Sequence, residues 1–76
     1  MKRTRLIQRR RDLNLTQDAV AKAIGVTRPT YVRYETGTRT PSLDIMLNIA
    51  EALRSDLDSL FGRDVPVEHT QTRASA

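Results

Sequence analysis

The chain has 76 residues, 29% of them charged, with a formal net charge of +4, one histidine and no cysteine. This length bounds a single domain with a limited core, and the lack of cysteine excludes disulfides and thiolate chemistry, which fits a reducing compartment. No apolar run is long enough for a signal peptide or a membrane span, so the expectation is a soluble, cytoplasmic protein with no membrane partner.

The charge is unevenly placed. Residues 1–40 hold ten Lys or Arg against three acids, and residues 41–76 hold three Arg against six acids. A basic half suits a polyanion and leaves the acidic half for something else. A merely solvated basic N-terminus would carry the same charge.

The first helix is expected from about Thr4 to Leu13. Leu6, Ile7 and Leu13 mark one face at helical spacing, and Arg10 falls within that stripe. An arginine so placed needs a partner, or a stem that snorkels outward. Asn14 tolerates the left-handed conformation that stops a helix.

A second helix starts at Thr16, whose hydroxyl suits an N-cap, with Asp18 in the first turn where the helix dipole favours it. Its expected apolar stripe is Ala19, Val20, Ala23 and Ile24. Gly25 supplies the turn, and Val26 plugs the core between helices.

The third helix begins at the Thr27 cap. Pro29 lies in its first turn, where a missing N–H costs nothing. Tyr31 and Tyr34 are placed inward by the helical period, in preference to a base-stacking role. Arg28, Pro29, Val32 and Arg33 are left outside. A basic outer face with short side chains suits the major groove of DNA. Gly37 ends the helix, and residues 38–41 form a loop.

Ser42 caps a fourth helix over about Leu43 to Leu53. Its expected stripe is Leu43, Met46, Leu47, Ala50 and Leu53, with Ile45 and Ile49 widening the apolar girth, as suits a central helix. A short fifth helix, about Asp56 to Phe61, turns Leu57, Leu60 and Phe61 inward, and Gly62 ends it. The domain is therefore expected over residues 1–62. Residues 63–76 lose periodicity and read as a disordered tail, with a short extended segment at Val65-Pro66-Val67, seated at a dimer contact, as the other reading.

Enzyme signatures are missing. His69 has no second His or Cys to share a metal, and neither a glycine-rich phosphate loop nor a nucleophile motif occurs. Asp56 and Asp58 read as helix-start acids. No catalytic residue, metal or cofactor is expected.

The run LTQDAVAKAIGVTRPTYVRYETG, followed by RTPSLDIMLNIAEAL and LDSLF, resembles the Xre/Cro/C1 family of lambda-repressor-like helix-turn-helix regulators. The resemblance covers roughly residues 3–62. It rests on the Leu15-Thr16-Gln17 opening, the Gly25 turn, the Glu35-x-Gly37 ending and the Pro41-Ser42 start together. It implies an all-α, five-helix fold with helices 2 and 3 as the helix-turn-helix. It also implies a homodimer on double-stranded DNA, with helix 3 of each subunit in the major groove of a palindromic operator and half-sites ~34 Å apart. Repression of transcription is the implied role. Some small proteins of this fold are instead antitoxins that bind a toxin and repress their own operon.

The resemblance assigns Gln17 to a DNA phosphate and to bracing helix 3. A helix start also favours an anion physically. Thr27, Arg28, Pro29, Thr30 and Arg33 fall on the reading helix. Arginine can donate two hydrogen bonds to guanine or can hold a phosphate. Arg28 is favoured for bases, and Arg33 is open between the two. Thr27 and Thr30 suit a thymine methyl or a phosphate. Pro29 departs from the polar residue that many members carry, and it reads bases only by apolar contact. Thr38, Arg39 and Thr40 fall in a loop that commonly touches phosphates, and Lys2, Arg3, Arg5 and Arg9 are further phosphate candidates. Family geometry pairs Arg10 with Glu35 as a structural ion pair, and puts a dimer surface near helix 5, with Leu57, Leu60 or Ile45 as candidates.

Overall fold

The computed structural model describes residues 2–66, so the expectations for Val67 and His69 lie outside the described residues. Five α-helices follow one another: α1 (Thr4–Asp12), α2 (Gln17–Ile24), α3 (Arg28–Thr36), α4 (Leu43–Ala52) and α5 (Leu57–Phe61), then a 3-10 turn over Gly62–Asp64. The described residues contain no strand, and the fold is all-α.

Local chemistry sets the helix starts. The side-chain oxygens of Thr16, Thr27, Ser42 and Asp56 accept the backbone N–H groups of Ala19, Thr30, Ile45 and Ser59, so each of α2 to α5 opens on a capped turn. Three helix ends close alike. Val26 N–H reaches the Ala21 carbonyl at 3.0 Å, Leu15 N–H that of Arg10 at 3.1 Å, and Ser55 N–H that of Ala50 at 2.9 Å. In each case the residue just before the donor is left-handed: Gly25 (φ 78°), Asn14 (φ 57°) and Arg54 (φ 50°). Gly25 and Asn14 are the residue types that geometry favours. Arg54 is not.

α2 packs on α3 and α4, while α1 packs on α5 and α3. Leu6, Val20, Tyr31, Met46, Ile49 and Leu53 are almost fully buried where these helices meet. Each such side chain contributes about 1.5–3 kcal/mol relative to exposure. Tyr31 and Tyr34 stack edge to face, ring centroids 6.5 Å apart, on the inner side of α3.

The expected stripe of α2 is rotated, and that of α4 loses one member. On α2 the buried residues are Val20, Ala21 and Ile24, while Ala19 and Ala23 face outward. This helix touches two neighbours, and the small Ala21 lets them approach closely. On α4, Leu47 is 43% exposed and Ile49 is fully buried. Residues two apart on a helix point nearly opposite ways, so turning Ile49 into the core leaves Leu47 outward. Leu57 and Leu60 are buried within the domain's own core and are not free for a dimer contact. The core also reaches past Gly62, since Val65 packs against it beyond the 3-10 turn.

Candidate nucleic-acid interface

The basic, apolar-inside pattern of α3 produces two unlike faces. Arg28 and Val32 share one row of the helix, and Pro29 and Arg33 the adjacent row, each four residues apart. Together with Gln17 at the start of α2, these four line a shallow surface depression. Arg28, Pro29 and Arg33 are exposed, and Val32 and Gln17 half-buried. Neither guanidinium is engaged by another described residue. Glu35 is the only carboxylate of α3, and it is buried behind the helix. The outer face is therefore positive and rimmed with apolar carbon.

Behind that face lies a polar clamp. Arg10 Nε donates to Glu35 Oε2 at 2.6 Å and Arg10 Nη2 to Oε1 at 3.3 Å, both buried. The same guanidinium donates to the Leu15 carbonyl at 2.8 Å, just before α2. Gln17 Nε2 donates to Glu35 Oε1 at 3.0 Å. One carboxylate thus joins α1, the start of α2 and the end of α3. Burial pushes the Glu35 carboxyl up, but the hydrogen bonds from Arg10 and Gln17 and the Arg10 charge outweigh it and hold the group below the ordinary glutamate range. The hydrogen bond to Glu35 raises the Arg10 guanidinium further, against the pull of burial. Burial beside the Glu35 charge pushes the Tyr31 phenol up and keeps it neutral. This contact ties the start of α2 to Glu35 and leaves the second Gln17 amide N–H without a partner among the described residues.

Other expected residues are placed differently. Thr27 spends its hydroxyl on capping, accepting Thr30 N–H at 3.3 Å and donating to Thr30 Oγ1 at 2.9 Å. Thr38 turns its hydroxyl toward the end of α3, 3.0 Å from that of Thr36 and 3.4 Å from the Arg33 carbonyl. Arg39 is exposed in the loop after α3. Two of the further phosphate candidates are occupied inside the fold. Arg9 donates to the carbonyls of Leu53 at 2.8 Å and Arg54 at 3.0 Å, closing the end of α4. Arg3 is held by Asp64, Tyr34, Arg39 and Thr40. Sequence offered no signal for either, because their partners are mostly backbone carbonyls distant in the chain. Lys2 and Arg5 are exposed.

Among the described residues no group of His, Cys, Asp or Glu could hold a metal ion. No described helix is long and apolar enough to cross a membrane.

Residues 6–60 match the helix-turn-helix family HTH_3. The chain belongs to the Xre/Cro/C1-like helix-turn-helix family. Its curated relatives are named as transcriptional regulators. It is 37% identical over 59 residues to the cryptic phage CTXphi transcriptional repressor RstR of Vibrio cholerae, covering 78% of this chain and 53% of RstR. It is 41% identical over 52 residues to the regulator YqaE of Bacillus subtilis, covering 68% of this chain and 45% of YqaE. A regulator of Methanothermobacter thermautotrophicus is 40% identical over 60 residues, with 78% of this chain and 87% of that protein covered. The chain thus spans about half the length of RstR and YqaE. No solved structure matches it. In this helix-turn-helix family α2 and α3 form the DNA-binding unit, and that is where the depression lies.

Proposed function

We propose that this protein is a transcriptional repressor that binds a palindromic operator as a homodimer. α3 of each subunit enters the major groove, and half-sites lie about one helical turn, ~34 Å, apart. The observation that carries this reading is the depression formed by Gln17, Arg28, Pro29, Val32 and Arg33, with the only acid of α3 withdrawn behind it. The name of RstR supports the repressor role.

Within that face, Arg28 at the helix start is the base reader, donating two parallel hydrogen bonds to a guanine. Pro29 and Val32 offer carbon to a thymine methyl. Arg33 takes a base edge or a phosphate from the neighbouring row. Gln17 lies at the start of α2, where backbone N–H groups favour a phosphate, and its remaining amide N–H completes that contact. Thr30 at the start of α3, and Thr38 and Arg39 after it, flank the groove and contact the backbone, which sets register without reading sequence, while Thr27 orients Thr30 through its own hydroxyl.

The test is selection from random duplex DNA by the purified protein at near-physiological salt. Enrichment of an inverted repeat supports the reading. Weak, salt-sensitive binding without enrichment contradicts it, and would favour a protein partner, such as a toxin, as the main ligand.

A further inference from the structure

Arg3 connects three parts of the chain that are far apart in sequence. Its backbone N–H donates to the Glu35 carbonyl at 2.8 Å. Its Nη1 donates to the carbonyl of Tyr34, and to that of Arg39 at 3.0 Å. Its Nη2 reaches Thr40 Oγ1 at 3.1 Å, and its Nε reaches Asp64 Oδ2 at 2.9 Å. The guanidinium also lies over the Phe61 ring, 5.9 Å from its centroid. The Arg3 side chain is 8% exposed, although the residue sits at the very start of the fold.

Tyr34 and Glu35 are the last buried residues of α3, and Arg39 and Thr40 belong to the loop that follows. At its far end the loop is anchored by Pro41, which is buried, while residues 38–40 are exposed. Apart from Arg3, it is tied by the Arg39 N–H to the Arg33 carbonyl at 3.3 Å and by the hydroxyls of Thr36 and Thr38 at the helix end. A planar guanidinium with several donors in fixed directions suits such a junction, since it can satisfy separate carbonyls at once.

We propose that Arg3 is a positioning residue for DNA binding. It latches the loop after α3 onto the 3-10 turn at Asp64, so that the Arg39 side chain is presented to the backbone of the duplex. The proposal rests on the reading of Arg39 as a phosphate ligand. Arg3 itself does not touch DNA. Its effect passes through the loop, and Asp64 belongs to the device although it carries the same sign of charge as the ligand.

Salt dependence of binding separates these roles. The probe is a fluorescein-labelled duplex carrying the selected inverted repeat, titrated by anisotropy at several salt concentrations. Freeing one phosphate per subunit lowers the log–log slope by about 0.9 for that subunit. R39Q and R3Q are each expected to show that reduction, and the R3Q/R39Q double variant no more than either alone. If the two reductions add, Arg3 acts independently of Arg39 and the proposal is overturned while the reading stands. If R39Q leaves the slope unchanged, the reading of Arg39 fails and the proposal falls with it.

A second variant decides the matter should R3Q fail to fold. D64N removes a negative charge from a DNA-binding protein, and simple electrostatics predicts tighter binding. The latch predicts the opposite, a weakening of about fivefold, the lower end of coupling between separate sites. Unchanged or tighter binding by D64N overturns the proposal.

Discussion

Arg10 of α1 grips Glu35 of α3 through two buried hydrogen bonds, and Gln17 of α2 donates to the same carboxylate. Three helices, α1, α2 and α3, are therefore joined at one group. The Glu35 side chain is 2% exposed and that of Arg10 is 10% exposed, so neither charge has water to fall back on.

Glu35→Gln and Arg10→Met should each lower stability by ~3–5 kcal/mol, because each leaves the other charge buried without its partner. Replacing both by apolar residues of similar size should cost less than either single change. Thermal unfolding followed by circular dichroism measures all three. A melting temperature unmoved or raised in Arg10→Met would show that the single-partner penalty is absent.

The same cluster gives the stability profile two pH limbs. The Glu35 carboxyl is held below its ordinary value, so its contribution is complete above the unfolded value of about 4.3 and is lost as pH falls through the lower folded value. The Tyr31 phenol is pushed above its ordinary value by burial. Its contribution is complete below the unfolded value of about 10 and is lost as pH rises toward the folded one. Urea unfolding across pH should show both declines. Glu35→Gln should flatten the acid limb, and Tyr31→Phe the alkaline limb. A persistent acid limb in Glu35→Gln would assign it to other carboxylates.

Arg54 adopts φ 50° where the end of α4 closes, and its carbonyl receives a hydrogen bond from Arg9. A left-handed residue with a side chain carries a steric cost that glycine avoids. Arg54→Gly should therefore raise stability by up to about 1 kcal/mol, keeping the Arg9 hydrogen bond because that is made to backbone. A decrease in denaturant midpoint would show that the Arg54 side chain contributes more than its backbone strain costs.

The order and ends of the five helices were legible in sequence because caps are local. Thr16, Thr27 and Ser42 announce helix starts, and Asn14, Gly25 and Gly37 announce stops. The outer face of α3 was legible for the same reason, since the period of Tyr31 and Tyr34 fixes what points away. What one helix buries was less legible, because it depends on neighbours. Ala21 is buried in place of Ala19 and Ala23, and Ile49 is buried as expected while Leu47 falls outside, since α2 and α4 each pack on more than one partner. Least legible were Arg3 and Arg9. Exposed-looking basic residues near a basic N-terminus read as phosphate ligands, yet both are spent on carbonyls more than thirty residues away in the chain. Nothing local marks such an interaction.

Residues assigned to bases and to backbone should fail differently. Arg28→Ala should cost ~1–3 kcal/mol on the preferred site and relax preference at one position of each half-site. Gln17→Ala should weaken all sequences alike, because it removes both the proposed phosphate contact and a brace on Glu35. Competition binding against duplexes altered one base pair at a time measures both. A uniform weakening in Arg28→Ala would move that residue to the backbone class.

The central claim is that the outer face of α3 reads the bases. The most direct measurement is selection from random duplexes carried out in parallel with the wild-type protein and Pro29→Gln. The account predicts an inverted repeat in both, differing at the same one or two positions of each half-site, where an apolar contact has given way to a hydrogen-bonding amide. Identical motifs from the two proteins would contradict the claim and place sequence reading elsewhere on the surface.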